Sequence, residues 1–413
     1  MNIWWLNQHA GAPDEAGHTR NYSLAYYLNR QGHQVTLITS NFNHFSLEKR
    51  TDKISEQFIN EKVNGIDFLW VSGKSPGKSY FSRLISMFSF ARVCKKLTNL
   101  NQLPKPDIII GSSPPLFTAD AAMKLAKKMN VPFVLEVRDI WPQAIIDLKK
   151  TSVYHPLMIY MKFLERKLYK NASGIIAAMP YFSTYLHDQK IRVKKIKYLP
   201  HGIDYALFTG VMPCVQKDKF IIVHAGKFAV ANHLVTVLEA AVLLKTKYPD
   251  CPIEFWLIGE GVDYKPLQQK AMKENLNNVK FFKPLSKNKI YGFMQQADAL
   301  LLHVKNANIY RYGATTNRLS DYLASGRPLI YAFSSNTYDP VSSSECGISI
   351  SSENPEALAQ AAVLLYKLPL EQRVIMGERG MTYVKENHNL ETLSKELSAF
   401  LIECLSVNDH IKY

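Results

Sequence analysis

Several kinds of segment are missing from this sequence, and each absence removes a class of protein. No uninterrupted apolar run of about 18 residues occurs, so we expect no membrane-spanning helix. The amino terminus, MNIWWLNQHAG, has no basic region before a long apolar core, so a secretory signal is not expected. The five cysteines are widely spaced without a CxxC pair, which fits reduced thiols in a cytosolic protein and argues against a structural zinc site.

Three short motifs are also absent. The sequence has no GxxxxGK[ST], and no full GxGxxG follows its first strand-like segment, which argues against a P-loop protein and a dinucleotide-dependent oxidoreductase. It has no Asp-x-Asp, the simplest carboxylate pair for holding a metal ion on a diphosphate. We therefore expect neither a metal nor a cofactor, and charge neutralisation from Lys227, Arg318 and helix ends.

The positive charge is concentrated in the first half of the chain. Residues 1–205 contain 28 Lys and Arg against 15 Asp and Glu, whereas the remainder contains 22 against 20. A basic half implies an anionic partner, which could be nucleic acid, a phospholipid surface or a diphosphate-linked substrate. No RNP-like, zinc-finger or basic-zipper pattern occurs, so nucleic acid is the least favoured of the three.

Strand-like and helix-like segments alternate along both halves, with a break near 200–218. The 413 residues suffice for two cores, and strands separated by helical periods indicate parallel sheets. We predict an α/β protein with two doubly wound, Rossmann-like domains, 1–205 and 206–388, facing a central cleft. Ligands of such sheets bind at the carboxyl ends of the strands, so the loops there are the candidate sites.

The segment YGATTNRLSDYLASGRPLIY, Tyr312 to Tyr331, predicts a loop, a short helix and a buried strand. Thr316 or a neighbour can cap the helix, whose first turn leaves backbone N–H groups for a phosphate. Arg318 adds a permanent cation, and Asp321 lies on the same helix face. These residues indicate a pyrophosphate clamp beside a carboxylate for a sugar diol. The alternative is a surface helix with an Arg318–Asp321 pair.

Two loops of the second half directly follow predicted strands, the position at which such sheets bind ligands. In HAGKFAVANHLVTVLEAA, Gly226 and Lys227 follow a strand and precede a helix, an arrangement that offers N–H groups and a cation to a diphosphate. In LIGEGVDYKPL, Gly259 and Glu260 follow the next strand, and Gly-x-Gly there is expected to shape a wall against which a nucleobase stacks.

The first half has a charged loop after a buried strand, LEVRDIWPQ. Glu136, Arg138 and Asp139 lie there, followed by Trp141, and such charges are costly unless paired or used. Asp139 or Glu136 could act as a base toward an acceptor hydroxyl. The alternative is a pair of Arg138 with either carboxylate that stabilises the strand end.

Two glycine loops are weaker signals. Gly17 could give a substrate close approach to a helix amino terminus, with His18 and Arg20 beside it, although a plain turn with a solvated cap is the alternative. The HGID segment at His201 could bend the chain between domains or be a simple linker turn.

The segment SYFSRLISMFSFARVCKKLTNL, residues 79–100, predicts an amphipathic helix that is basic and rich in aromatic residues. Such a helix can lie in a membrane interface, and the basic first half favours contact with anionic lipid. The alternative is a helix whose apolar stripe, including Phe81 and Phe88, packs on the sheet.

Five motifs occur in an order that resembles family 4 of the retaining glycosyltransferases. They are HGID, Gly226-Lys227 with its following helix, IGEG, ADALLL and YLASGRP. EVRDIWP and YGATTNRLSDYLASGRP are similar to the subgroup of bacterial fucosamine and other acetamido-sugar transferases. The resemblance spans nearly the whole chain. It implies the GT-B fold and a final helix, within 389–413, that crosses back onto the first domain.

Several positions depart from the commoner pattern of that family. Asp321 matches the second member of its usual carboxylate pair, but Gly313 stands where the first would be. The common Arg and Lys of the donor site fall on Lys227 and Asn232, so the bidentate geometry and one charge are lost. Arg318 is the expected compensating cation. These departures leave the donor sugar open.

The residues and the resemblance together predict a retaining transfer of a sugar, expected to be an acetamido sugar, from a UDP-sugar. The acceptor would be a hydroxyl of a lipid-diphosphate-linked or polysaccharide glycan, such as O-antigen or capsule, at the inner face of the cell membrane. The expected donor-binding residues are Gly17, Gly226, Lys227, Asn232, Gly259, Glu260, Thr316, Asn317, Arg318, Leu319 and Asp321. The expected catalytic residues are Glu136, Arg138, Asp139, Lys227 and Arg318. The expected acceptor-side residues are His18, Arg20, Trp141 and His201.

Two other functions remain open on the sequence. A nucleotide-sugar epimerase of the same fold would act on the donor alone. A non-catalytic scaffold would bind the nucleotide without turnover, and Gly313 keeps that possibility open.

Overall fold

The structure is a computed structural model that describes residues 1–13, 19–43, 47–50, 57–77, 79–99, 103–204, 218–285, 287–313, 316–334 and 338–406. The chain forms two compact units. Unit 1 comprises Met1–Pro200 and Leu390–Tyr413, and unit 2 comprises His201–Asn389. Among the described helices, none is long and apolar enough to cross a membrane.

The strands of unit 1 form one sheet in the order β3-β4-β2-β1-β5-β6-β7-β8. All neighbours are parallel except β3 and β4, which are antiparallel. The strands are β1 (Asn2–Leu6), β2 (Gln34–Ser40), β3 (Phe58–Val63), β4 (Ile66–Val71), β5 (Ile108–Ser113), β6 (Phe133–Val137), β7 (Gly174–Ala177) and β8 (Ile196–Tyr198). The central strands are continuous apolar runs because helices cover both faces of a parallel sheet.

The helices of unit 1 alternate with these strands, except for the last, which returns to unit 1 after unit 2. They are α1 (Arg20–Arg30), α2 (Tyr80–Cys94), α3 (Leu116–Met129), α4 (Gln143–Lys149), α5 (Pro156–Asn171), α6 (Phe182–Asp188) and α14 (Leu390–Ser406). Helix α14 packs beside α1, and its Leu397 and Leu401 enter the core with Leu24 and Ile110.

The strands of unit 2 form a fully parallel sheet in the order β11-β10-β9-β12-β13-β14. They are β9 (Phe220–Ala225), β10 (Ile253–Ile258), β11 (Val279–Phe282), β12 (Ala299–His303), β13 (Leu329–Ala332) and β14 (Gly347–Ile350). The helices are α7 (Val235–Lys247), α8 (Tyr264–Lys273), α9 (Lys287–Gln296), α10 (Asn317–Ala324), α11 (Pro340–Ser343), α12 (Pro355–Lys367) and α13 (Leu370–Asn387).

The predicted α/β architecture with two doubly wound, Rossmann-like sheets is confirmed. The long central strands match their apolar runs, whereas β3, β8 and β14 escaped sequence reasoning because they are half-exposed edge strands with few buried side chains. The helix expected over 79–100 ends at Cys94, and a short 3-10 turn follows at Leu97–Asn99.

Candidate functional site

In unit 2, the carboxyl end of β9 meets the first turn of α10. The hydroxyl of Tyr322 accepts a hydrogen bond from the backbone N–H of Ala225 at 2.7 Å and donates one to the carbonyl of the same residue at 2.8 Å. The apolar side of α10, including Leu319 and Leu323, packs in the core. These contacts fix the helix against the strand end, where open α/β sheets bind ligands.

Arg318 lies over this strand end and is held by neutral groups. Its Nη2 donates to Oδ1 of Asn232 at 2.6 Å, and its Nη1 donates to Nε2 of His224 at 3.2 Å. No carboxylate forms an ion pair with Arg318 in the part of the chain that the structure describes. The predicted alternative, an Arg318–Asp321 pair, is therefore not formed.

Two buried histidines orient the groups that hold Arg318. Nδ1 of His224 donates to the carbonyl of Leu301 at 3.0 Å, which leaves Nε2 as the acceptor for Arg318. Burial, with Arg318 beside it, lowers the pKa of His224 well below its usual value, so the ring stays neutral. Nδ1 of His303 donates to the carbonyl of Asn232 at 2.7 Å, and burial lowers the pKa of His303 to about 4.

Gly226 provides the space in front of the guanidinium. A Cβ atom built there would lie 3.0 Å from Nη1 of Arg318. Gly259 serves a different purpose, because a Cβ there would lie 1.9 Å from the carbonyl oxygen of Gly226. The Gly-x-Gly after β10 thus lets its loop pack against the loop after β9. Lys227 and Glu260 have exposed side chains beside this contact.

The other residues predicted for the donor site in unit 2 have different surroundings. Thr316 occupies the N-cap position of α10 but makes no side-chain capping bond, and its Oγ1 is buried with no hydrogen-bond partner among the described residues. Asn317 begins the helix. The Leu319 side chain is only 1% exposed and belongs to the core, so it offers no side-chain contact to a ligand. Asp321 accepts a hydrogen bond from the hydroxyl of Tyr291 at 3.2 Å.

Gly313, where the family pattern has a carboxylate, ends a 3-10 turn with φ of 82°. That backbone conformation favours glycine over any residue with a side chain. The backbone conformation at Gly313 therefore disfavours the acidic residue that the family pattern has at this position.

In unit 1, Glu136 is the centre of a buried network at the carboxyl ends of β1, β5 and β6. Its Oε2 accepts from Ser112 at 2.5 Å, Asn21 at 3.2 Å and Trp5 at 3.3 Å. Its Oε1 lies 3.3 Å from Nε of Arg20. Burial alone would raise the pKa of Glu136, but the charges of Arg20 and Arg138 and the donors outweigh it and lower the pKa.

Arg20 is a structural residue in this network. The sequence placed it on the acceptor side, with a solvated cap as the alternative, yet it is 5% exposed. Its Nη2 donates to the carbonyl of Leu199 at 3.0 Å, and its Nη1 donates to that of Pro200. Glu136 is 1% exposed, so it also lacks the access to solvent that a base toward an acceptor would need.

Asp139 and Trp141 follow β6 in the same loop and are half-buried, as is Arg138. Burial raises the pKa of Asp139 to about 6, against the hydrogen bonds from the backbone of Ile140 and from Trp141. Of the charged residues predicted here, Asp139 thus has the partial exposure and the pKa that suit a proton acceptor near neutral pH.

Three predicted site residues lie elsewhere. Gly17 and His18 are outside the described residues. His201 lies at the start of unit 2, where its carbonyl accepts from Oγ of Ser320 at 2.8 Å, and Oγ of Ser320 lies 2.6 Å from Nδ1 of His388.

Sequence reasoning missed His224, His303, Tyr322, Asn21 and Ser112. A usable signal existed for the two histidines, because each is a polar residue at the end of an otherwise apolar strand. Within the described ranges, no cluster of three or more His, Cys, Asp or Glu side chains is arranged to hold a metal ion.

Comparison with known proteins supplies two domain assignments. Residues 18–207 match Glycosyltransferase Family 4, and residues 214–382 match Glycosyl transferases group 1. The chain is 23% identical over 296 residues to the putative colanic acid biosynthesis glycosyl transferase WcaI of Escherichia coli, covering 68% of this chain and 70% of that protein.

Solved structures share the fold over the full length. Sucrose-phosphate synthase from Thermosynechococcus elongatus superimposes with a TM-score of 0.76 at 15% identity, covering 98% of this chain and 99% of the other. HepE from Anabaena in complex with UDP-glucose superimposes with a TM-score of 0.67 at 14% identity, covering 98% and 100%.

Proposed function

Because this chain is a glycosyltransferase with the GT-B fold, of the family 4 and group 1 type, we propose that it transfers a sugar from a UDP-sugar to a glycan hydroxyl. The observation that carries the proposal is Arg318. A cation held by Asn232 and the neutral His224, with an unpaired hydroxyl of Thr316 nearby in sequence, is suited to an anionic ligand.

Unit 2 would hold the donor. The diphosphate would lie at Arg318, Lys227 and the amino terminus of α10, where the cations and the helix dipole stabilise negative charge. As the glycosidic bond breaks, charge develops on the leaving diphosphate, and these fixed groups stabilise it there. Asp321 would hold hydroxyls of the ribose. The choice of UDP is supported by HepE, which was solved with UDP-glucose.

Unit 1 would hold the acceptor at the loop after β6. Asp139 would accept the proton of the acceptor hydroxyl, with Arg138 and Trp141 shaping its surroundings. We expect Asp139→Ala to lower transfer much more than donor binding, and equal losses in both would contradict this role.

The finer parts of the proposal concern the substrates and the place of reaction. We propose an acetamido sugar as the transferred group and a lipid-diphosphate-linked or polysaccharide acceptor of surface polysaccharide synthesis. The similarity to the putative colanic acid biosynthesis glycosyl transferase WcaI supports that setting. The enzyme would work without a metal at the cytoplasmic face of the membrane, in contact with anionic lipid through the basic α2.

The test is a thermal-shift panel with UDP, GDP, ADP, dTDP and NAD, without added metal, followed by turnover assays. A ligand that binds the native state raises the melting temperature with its concentration. A selective shift with UDP, lost in Arg318→Ala, and UDP release that depends on an added acceptor would support the proposal. A changed donor without an acceptor would indicate an epimerase, and UDP binding without turnover would indicate a scaffold.

A further inference from the structure

An aromatic row crosses three helices of unit 1. The ring centroid of Phe117 on α3 lies 4.1 Å from that of Phe88 on α2 and 6.4 Å from that of Tyr160 on α5. Phe117 is buried, whereas Phe88 and Tyr160 are both exposed. Helix α3 therefore joins α2 and α5 from beneath, and the two outer helices present aromatic side chains to solvent on either side.

A row of lysines runs beside the aromatic row, one helical turn further along. Asp120, three residues after Phe117 on α3, pairs with Lys95 of α2 at 3.5 Å and Lys167 of α5 at 3.5 Å. It also pairs with Lys124 at 2.6 Å. Three lysines share one carboxylate, so the cluster keeps an excess of positive charge.

Helices α2 and α5 each carry aromatic side chains and a lysine at intervals that place them on one helix face. On α2, Phe81, Phe88 and Lys95 follow each other at seven-residue intervals, so they lie on one helix face. On α5, Tyr160, Phe163 and Lys167 are three and four residues apart and share a face as well.

The face bears several large apolar side chains that the described residues of unit 1 leave exposed. On α2, Phe81 is 71% exposed, while Met87 and Phe90 on the opposite side are buried. On α5, Phe163 is 65% exposed and Ile159 is 54% exposed, and Tyr154 just before the helix is 83% exposed. Exposed apolar patches of this kind mark binding surfaces.

We propose that α2 and α5 together form a membrane-binding face for an anionic bilayer, with Ile159, Phe163 and Phe81 inserting among the lipids. Lys95, Lys124 and Lys167 would contact lipid phosphates at the same time. This inference rests on the proposed function, which sets the acceptor at a membrane, and adds α5 and the lysine cluster to a contact expected from α2 alone.

The charge of the face selects this occupant over a second copy of the chain. Two copies related by a two-fold axis would bring like-charged lysine clusters together, which is destabilising. An anionic bilayer instead offers negative charge to the lysines and an apolar layer to the aromatic side chains.

The test is cosedimentation of the full chain with vesicles of phosphatidylcholine, with and without phosphatidylglycerol. We expect binding only with phosphatidylglycerol, and weaker binding as salt is added. The double variant Ile159→Ser/Phe163→Ser should bind at least about tenfold more weakly, since each buried methylene contributes to partitioning. Lys95→Gln/Lys167→Gln, which leaves Asp120 paired with Lys124, should reduce binding and its salt dependence.

The matched control is Val262→Ser/Met272→Ser in unit 2, whose side chains are 77% and 74% exposed and which should bind as wild type does. Unchanged binding by the α5 variant, or self-association that this variant abolishes in place of vesicle binding, would overturn the inference. UDP binding is measured on every variant. Wild-type protein that binds UDP but not vesicles would refute this inference and leave the proposed function standing. Wild-type protein that binds vesicles but not UDP would refute the proposed function and leave the membrane-binding face standing.

Discussion

Two arginines at equivalent ends of the two sheets have opposite surroundings. Arg20 of unit 1 is 5% exposed and lies against the ionised Glu136, with two backbone carbonyls taking its other donors. Arg318 of unit 2 is half-buried and rests on Asn232 and the neutral ring of His224. The charge of Arg20 is compensated within the fold, whereas no described carboxylate compensates that of Arg318.

The difference distinguishes a charge that is neutralised within the fold from one that is held in place without being neutralised. A buried pair that is fully hydrogen-bonded stabilises its own geometry, and removing one member leaves an uncompensated charge. A cation held by neutral acceptors is fixed in place but not neutralised, which is how a site prepared for an anion is built. The following predictions test this contrast from the largest expected effect to the smallest.

The largest effect is expected for Glu136→Gln. Loss of the carboxylate leaves Arg20 buried without a counter-charge, which should destabilise unit 1 by about 3–5 kcal/mol. Hydrogen exchange of the β6 amides in increasing urea measures this free energy. Arg318→Gln removes a cation whose described side-chain partners, Asn232 and His224, are neutral, so it should have a much smaller effect on the β9 amides. Equal destabilisation by the two variants would remove the contrast.

The next effect is on ligand binding. Arg318→Ala should weaken UDP binding by more than about 1.5 kcal/mol, the lower range for hydrogen bonds to charged groups. Isothermal calorimetry gives the value, with Arg379→Ala as the control because Arg379 is an exposed arginine paired with Glu345. Unchanged UDP affinity in Arg318→Ala would exclude this residue from the diphosphate site.

The contrast between the two arginines also shows what sequence can and cannot provide. Arg318 could be predicted as a site residue because a loop, a short helix and a glycine stop bracket it locally. Arg20 was misplaced because its partner Glu136 is 116 residues away, and no local pattern reports that they meet. Central strands such as β5 were readable from apolar runs, whereas the role of His224 depends on Arg318, 94 residues away in sequence, meeting it in space.

The third prediction concerns two carboxylates near the end of β6 whose pKa values shift in opposite directions. Burial raises the pKa of Asp139 from 3.8 to about 6, whereas the pKa of Glu136 is lowered. A raised carboxyl pKa gives stability that is present below about pH 4 and is lost as the pH rises through 6. The unfolding free energy of unit 1 should fall over this range in wild type, and less so in Asp139→Asn. Transfer should increase over the same range as Asp139 loses its proton.

Glu165 requires its own control in that experiment, because burial raises its pKa to about 7 despite hydrogen bonds from Tyr169 and Tyr185. Glu165→Gln should remove the part of the pH dependence that comes from Glu165, between about pH 4.5 and 7, and leave the part that comes from Asp139 and ends near pH 6. If Asp139→Asn and wild type have the same pH dependence of unfolding below pH 6, the Asp139 carboxyl does not titrate there.

The smallest effect on ligand affinity is expected for Asp321→Asn. This variant tests whether Arg318 and Asp321 bind different parts of the nucleotide. If Arg318 binds the diphosphate and Asp321 the ribose, Asp321→Asn should weaken UDP binding by about 0.5–1.5 kcal/mol, the range of a single hydrogen bond. It should leave the affinity for inorganic pyrophosphate unchanged, because pyrophosphate has no ribose. Arg318→Ala should weaken both ligands. Competition of pyrophosphate against UDP in calorimetry measures both affinities, and an equal loss of pyrophosphate binding in Asp321→Asn would mean that Asp321 acts by orienting α10.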